Sequence, residues 1–125
     1  MKRIVIDSDI YIDYLRGDLK AKRFFERIRE DMVFFSAITE AELLSGKECN
    51  KIEKRALVLE VLRNGTKIPV ENRIAEKAGT FRRVYNTNLQ DALIAATAFV
   101  MKAKLVTRNI KDFKKIKETS VVKPY

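Results

Sequence analysis

Four acidic residues occupy positions from which they could act together. Asp7 directly follows a short apolar run near the start of the chain, and Asp112 follows a late one. Glu42 and Asp91 lie within apolar stretches, where a carboxylate is costly unless it is paired or binds a metal. Carboxylates grouped in one site act as general acids and bases or as ligands for hard cations. Joint action of these four residues requires that the fold bring their side chains together.

The residue types that are absent restrict the chemistry. The chain of 125 residues has no histidine and a single cysteine, Cys49. This composition excludes Ser-His-Asp and Cys-His nucleophile systems, His-liganded zinc, and metal-free RNA cleavage by a histidine pair. Catalysis would have to use carboxylates, Lys, Tyr, Ser or Thr, Cys49, or a bound hard cation.

Positive charge is concentrated at the end of the chain. Lys and Arg number 26 against 17 acids, and the net charge is +9. Residues 101–125 contain eight of the basic residues and only two acids. Such an excess favours a polyanionic partner, nucleic acid first and an anionic membrane second, although a solvated lysine surface is the simpler interpretation.

The remaining composition predicts one cytoplasmic domain over residues 1–125. One cysteine cannot form an internal disulfide, and the apolar run after Met1 is too short for a signal peptide. The longest near-apolar run, 92–101, is about half a membrane span. No Ser/Gly-rich linker or repeat interrupts the chain.

Hydrophobic patterning predicts an α/β fold with a mainly parallel sheet of about four to five strands flanked by helices. In such a fold, ligands bind beyond the carboxyl ends of the strands, where Asp7, Glu42 and Asp112 are expected. The predicted strands are 3–6, 32–35, 67–70 (at a sheet edge because of Pro69), 105–107 and 121–122, and the predicted helices are 8–16, 19–29, 37–45, 51–62, 71–85, 90–103 and 111–116.

Helix capping is the competing interpretation of each acid. Asp7 could cap the helix that follows it, and acids in first turns interact favourably with the helix dipole. Capping-box or similar spacing pairs Thr39 with Glu42, Asn88 with Asp91, and Asn109 with Asp112. If the acids do converge, however, they repel one another until a cation neutralises them. Oxygen ligands alone favour Mg²⁺ or Mn²⁺, one or two ions, over zinc or copper.

Four blocks of the sequence, in order, resemble those of the PIN-domain ribonucleases, most of all the toxins of the VapC type. They are 4–10, 36–44, 91–98 and 105–113. The resemblance implies a three-layer sandwich and RNA hydrolysis by metal-activated water, with Asp7, Glu42, Asp91 and Asp112 as catalytic and metal-binding acids. It also implies that Thr39 or Thr107 supports these acids through hydrogen bonds.

Two positions depart from the family pattern. The chain has Asp9 where the family often has Asn, which adds an acid without an assigned role. The fourth acid of the family falls at either of two places, and here one is Asn109 and the other is Asp112. We expect Asp112 to be the acid and Asn109 to be a neutral oxygen donor beside it.

The resemblance also implies partners. We expect an RNA substrate, attracted by Arg108, Lys111, Lys114 and Lys115. A cognate antitoxin would lay a helix into an apolar groove and place an Arg against the acids, and a homodimer is implied as well. The candidate groove residues, which could equally pack in the core, are Tyr11, Tyr14, Leu15, Phe24 and Phe25.

Three other functions are compatible with the sequence. The chain could be a housekeeping PIN nuclease in RNA processing, or a catalytically inactive basic RNA-binding domain. Asp7-Ser-Asp9 after a strand also resembles haloacid-dehalogenase-type phosphatases, in which the first Asp is a nucleophile and the second an acid/base. Tyr11, where those enzymes carry Thr or Val, and the short chain argue against that alternative.

Overall fold

Five parallel strands form one sheet in the computed structural model, which describes residues 1–125. The strands are β1 (Arg3–Ile6), β2 (Met32–Ser36), β3 (Thr66–Ile68), β4 (Lys104–Val106) and β5 (Val121–Val122). The helices are α1 (Ser8–Leu15), α2 (Leu19–Arg27), α3 (Ala37–Leu44), α4 (Ile52–Leu62), α5 (Asn72–Tyr85), α6 (Leu89–Val100) and α7 (Ile110–Lys114), with a 3₁₀ turn at Lys47–Asn50. The predicted α/β class and parallel sheet are confirmed.

The strand order is β3-β2-β1-β4-β5, so that β1 lies between β2 and β4. The chain adds β2 and β3 on one side of β1, and later adds β4 and β5 on the other side. This reversal of direction leaves a crevice at the carboxyl ends of β1 and β4. Ile6 pairs with Val106 across these strands, and the Asp7 amide donates to the Val106 carbonyl at 2.9 Å. The residues that follow, Asp7 and Thr107, are therefore neighbours.

Each face of the sheet supports its own apolar core. Because side chains alternate along a strand, Ile4 and Ile6 point to one face and Val5 to the other. Val5 packs in a cluster with residues of α5, α6 and α7. Ile4 and Ile6 pack in a second cluster with residues of α1, α2, α3 and α4. Helices thus cover both faces, and the sheet is held in place from both sides.

Several local features differ from the sequence prediction. The edge strand predicted over 67–70 is Thr66–Ile68 and ends before Pro69, and the helix predicted over 19–29 ends at Arg27. The helix expected over 90–103 ends at Val100, because Lys102 has a left-handed φ of 53° and the Ala103 amide bonds back to the Ala98 carbonyl at 2.9 Å. The 3₁₀ turn at Lys47–Asn50 was not predicted. None of the helices combines the length and the apolar character needed to cross a membrane.

The core against α5 and α6 depends on Phe81, which is fully buried and packs edge-on against Phe99 at 6.0 Å. We expect Phe81→Ala to lower the free energy of unfolding by about 3–5 kcal/mol, because it removes apolar contacts and leaves a cavity. Urea denaturation measures this change. Val84→Ala, on the same helix at a side chain that is 59% exposed, should change stability by less than about 0.5 kcal/mol. Equal losses for the two variants would contradict the assigned core.

Candidate metal centre

Asp7 and Thr107 meet where β1 and β4 end. Asp7 is buried and caps α1, with its Oδ1 accepting from the Ser8 amide at 2.7 Å. Its Oδ2 accepts from the Thr107 hydroxyl at 2.8 Å. The capping interpretation of Asp7 is therefore correct, and Asp7 also belongs to an acidic cluster.

The pKa of Asp7 is raised from 3.8 to about 7. Burial is the largest cause, because it disfavours the charged carboxylate, and the negative charges of Asp9 and Glu42 add to it. The hydrogen bonds from Thr107 and Ser8 act in the opposite direction. A carboxylate in this state gains from a neighbouring cation.

Glu42 and Asp9 complete the first acidic set around Asp7. Glu42, from α3, accepts from the Ser8 hydroxyl at 2.8 Å. The Oδ2 atom of Asp9 accepts from the Arg108 amide at 3.0 Å, and its Oδ1 atom is buried without a hydrogen bond. Burial is the main cause that raises the pKa of Asp9. A buried carboxylate oxygen without a partner is available to a positively charged ligand.

Asp91 and Asp112 form a second set. At the start of α6, the Asn88 amide group donates to Asp91 at 3.0 Å, and the Asp91 backbone amide donates to Asn88 at 2.8 Å. Asp112 accepts from the Asn109 side chain at 3.0 Å. Burial raises the pKa of Asp91, the Asn88 hydrogen bond lowers it, and the charge of Asp112 raises it again. The two acids are thus close enough to affect each other.

The two acidic sets have the donor chemistry for a hard cation but do not form a finished cage. No three acidic side chains lie close enough together to hold an ion in their present positions. All the donors are oxygens, and the acids of each set repel one another. The buried, unpaired Asp9 Oδ1 is also suited to binding a cation. These residues therefore fit Mg²⁺ or Mn²⁺, provided that the side chains move closer to the ion.

Only one of the two threonines expected to support the acids forms a hydrogen bond with them. Thr107 bonds Asp7 directly, whereas the buried Thr39 hydroxyl makes no hydrogen bond. Ser36, not Thr39, caps α3, so the expected capping box between Thr39 and Glu42 does not form.

The basic residues predicted to bind RNA lie just beyond β4. Lys111, Lys114 and Lys115 are exposed, whereas Arg108 pairs with Asp13 at 2.8 Å. Sequence reasoning missed Ser8 and Asp13. Asp13 lies four residues after Asp9 on one face of a helix, which was the available signal.

The candidate groove residues divide between core and surface. Tyr11 and Phe24 are buried and belong to the core. Tyr11 also lines a hollow of about 450 Å³ together with Tyr14 and Phe25. Leu15 lines a second hollow of about 270 Å³, which also includes Glu42. The second hollow therefore adjoins the acidic set.

The raised pKa of Asp7 predicts how the stability of the metal-free protein depends on pH. The folded state holds the Asp7 proton more tightly than the unfolded chain does. Its contribution to stability is therefore full below pH 3.8 and is lost as the pH rises through about 7. Asp7→Asn cannot ionise, so in EDTA at pH 8 it should be more stable than wild type. Each tenfold difference in the proton affinity of Asp7 between the folded and unfolded states corresponds to about 1.4 kcal/mol in the free energy of unfolding.

Urea denaturation between pH 4 and 8 tests this dependence. Asp31→Asn is the matched control, since Asp31 lies before β2 at the opposite edge of the sheet and bonds only the Lys2 amide, at 3.1 Å. The control should retain the wild-type loss of stability. If Asp7→Asn loses as much stability as wild type over this range, Asp7 is not the residue that titrates.

Known proteins share both the sequence pattern and the architecture. The PIN domain family model matches residues 4–119. Ribonuclease VapC10 of Mycobacterium tuberculosis is 34% identical over 116 residues, which cover 88% of this chain and 85% of that protein. A chain of a toxin-antitoxin complex from Klebsiella pneumoniae is 32% identical, with a TM-score of 0.82 and 98% coverage of both chains.

A more distant structure shares the fold alone. A chain of the DNA-bound VapBC from Salmonella typhimurium is 19% identical, with a TM-score of 0.89 over 100% of both chains. Together with the match over residues 4–119, these similarities confirm the resemblance that the four sequence blocks predicted. The chain belongs to the PIN-domain family and is a relative of the VapC ribonucleases.

Proposed function

We propose that this protein is an endoribonuclease that uses Mg²⁺ or Mn²⁺ to hydrolyse RNA phosphodiesters and acts as the toxin of a toxin-antitoxin pair. The observation that carries the proposal is the buried Asp7 at the carboxyl ends of β1 and β4, with Asp9 and Glu42 beside it. The similarity to Ribonuclease VapC10 supports RNA as the substrate.

Asp7, Glu42, Asp91 and Asp112 would hold the cation, as one ion or two. A bound Mg²⁺ or Mn²⁺ supplies activation of water and neutralisation of charge on the phosphoryl group. The supporting residues orient the acids: Thr107 aligns Asp7, Ser8 aligns Glu42, Asn88 aligns Asp91 and Asn109 aligns Asp112. Such outer hydrogen bonds fix the directions of the carboxylate oxygens.

The basic residues after β4 would hold the RNA backbone beside the acids. A polyanion is repelled by the carboxylates, so cations must flank them. Arg108, Lys111, Lys114 and Lys115 lie on the segment that directly follows Thr107. They are the residues that we assign to RNA binding.

An antitoxin partner is supported by the structural relatives, which include toxin-antitoxin complexes. The hollow beside Glu42 is lined by Leu15, Leu43 and Leu57, among other residues. An amphipathic helix fits such an apolar surface, and an Arg carried by that helix could reach the acids. We also propose that the chain forms a homodimer, which is an expectation from the family.

Asp7→Asn and Asp91→Asn should each slow RNA cleavage in Mn²⁺ by about 100-fold or more, because each removes a charged ligand. The assay follows a labelled RNA on a gel over time. Asp31→Asn is the matched control, since it makes the same chemical change at the opposite edge of the sheet. Cleavage at the wild-type rate by both active-centre variants would refute the assignment.

Metal binding can be measured without following cleavage. It distinguishes a metal-binding protein from a basic RNA-binding domain whose acids serve only as helix caps. Mn²⁺ at 100 times its Kd should stabilise a true metal protein by about 2.7 kcal/mol. The rise in Tm should be lost in Asp7→Asn and kept in Asp31→Asn. Acids that serve only as helix caps would give no rise in the wild-type protein.

Growth assays separate a toxin from a housekeeping nuclease. Induced wild-type protein should arrest the growth of a bacterial host, and co-expression of the antitoxin proposed above should restore growth. Leu57→Glu, at a side chain that is 48% exposed and lines the hollow, should keep the arrest but weaken the rescue. Leu89→Glu, which is 51% exposed and outside the hollow, is the control and should be rescued normally. Normal growth on wild-type induction would argue against a toxin.

A further inference from the structure

Asp13 is an almost buried acid that the assigned centre does not use. It lies on α1 with 8% of its surface exposed, and both of its oxygens have partners. Arg108 reaches it through two nitrogens, with Nε 2.8 Å from Oδ2 and Nη2 3.2 Å from Oδ1. The Tyr125 hydroxyl donates to Oδ2 at 2.7 Å. A carboxylate that contacts two nitrogens of a guanidinium holds that guanidinium in one orientation.

Arg108 is bound at two points along its length. Its backbone amide donates to Asp9 at 3.0 Å, and its side chain reaches Asp13. The third guanidinium nitrogen, Nη1, makes no hydrogen bond within the chain, and the side chain is 47% exposed. The guanidinium is therefore fixed beside the acidic centre and still has a donor available to solvent.

We propose that Asp13 is a positioning residue that holds the Arg108 guanidinium at the rim of the acidic centre, where Arg108 binds a phosphate of the RNA backbone. This inference rests on the proposed RNA substrate. It assigns to Asp13 a task in substrate binding and leaves the metal to the other acids.

Two physical arguments favour this role. A free Arg side chain loses rotamer freedom when it binds phosphate, whereas an Arg already held by a carboxylate has lost that freedom on folding. Without Asp13, the side chain of Arg108 would also be free to form an ion pair with Asp9, to which its own backbone is bonded. Paired with Asp13, the guanidinium acts on Asp9 through its charge alone, and its unbonded nitrogen stays available to the RNA.

A double-mutant cycle on RNA binding tests the proposal. The probe is a short fluorescein-labelled RNA of mixed sequence, and anisotropy gives its Kd in EDTA, so that the measurement does not depend on cleavage. Asp13→Asn and Arg108→Ala should each raise the Kd by about 3- to 10-fold, and the double variant should be no worse than Arg108→Ala alone. Asp13→Glu, which keeps the charge, should recover part of the affinity.

Cleavage kinetics in Mn²⁺ distinguish positioning from a merely structural role. Asp13→Asn should raise KM by a similar factor and leave kcat within about twofold of wild type. Tyr125→Phe is the matched control, because it removes a hydrogen bond from the same Asp13 oxygen but keeps the Arg108 pair. It should lower Tm while Kd and KM stay unchanged.

The outcomes are distinct from those of the proposed function. Additive effects in the cycle, or an unchanged Kd in Asp13→Asn, overturn the role of Asp13 even if the protein cleaves RNA. A wild-type protein that does not cleave RNA in Mn²⁺ but shows the non-additive cycle overturns the nuclease and leaves the role of Asp13 standing. A Kd that no variant changes also overturns the role of Asp13.

Discussion

The pairing of β1 with β4 is the constraint on which the acidic centre depends. Ile6 lies opposite Val106, so the next residues on the two strands, Asp7 and Thr107, come within hydrogen-bond distance. A slip of one residue would turn every side chain of β1 to the other face of the sheet and separate the carboxylate from the hydroxyl. The apolar cores on both faces oppose such a slip, because Ile4 and Val5 each have a defined place.

The centre lowers the stability of the fold that contains it. Burial and neighbouring charges raise the pKa of Asp7 to about 7, so the ionised form is unfavourable in the metal-free protein. Hydrogen bonds from Thr107 and Ser8 offset part of this cost. The remainder is offset by the two apolar cores, one of which directly adjoins the centre through Ile6, Leu43 and Val106. Loss of stability at a functional site, compensated elsewhere, is the usual consequence of grouping like charges.

The sequence predicted the architecture more completely than the contacts among the acids. Apolar runs with helical segments between them were enough for a parallel sheet, and Pro69 was enough for an edge strand. Contacts between distant residues had no local signal. The Ser8–Glu42 bond spans 34 positions and the Arg108–Asp13 bond spans 95. The Thr39 spacing suggested a cap, but packing buried that side chain and gave the cap to Ser36.

A basic chain with an acidic centre has to fix the positions of the cations beside that centre. Arg108 directly follows Thr107, and its backbone already bonds Asp9, so its side chain is within reach of the carboxylates. The side chain pairs with Asp13, one helical turn beyond Asp9 on α1, and from there its charge still lowers the pKa of Asp9. Because Asp13 holds the guanidinium in one place, Arg108 stabilises the charged form of Asp9 without forming a side-chain ion pair with it. The charge of Arg108 is therefore part of the electrostatic environment of the centre.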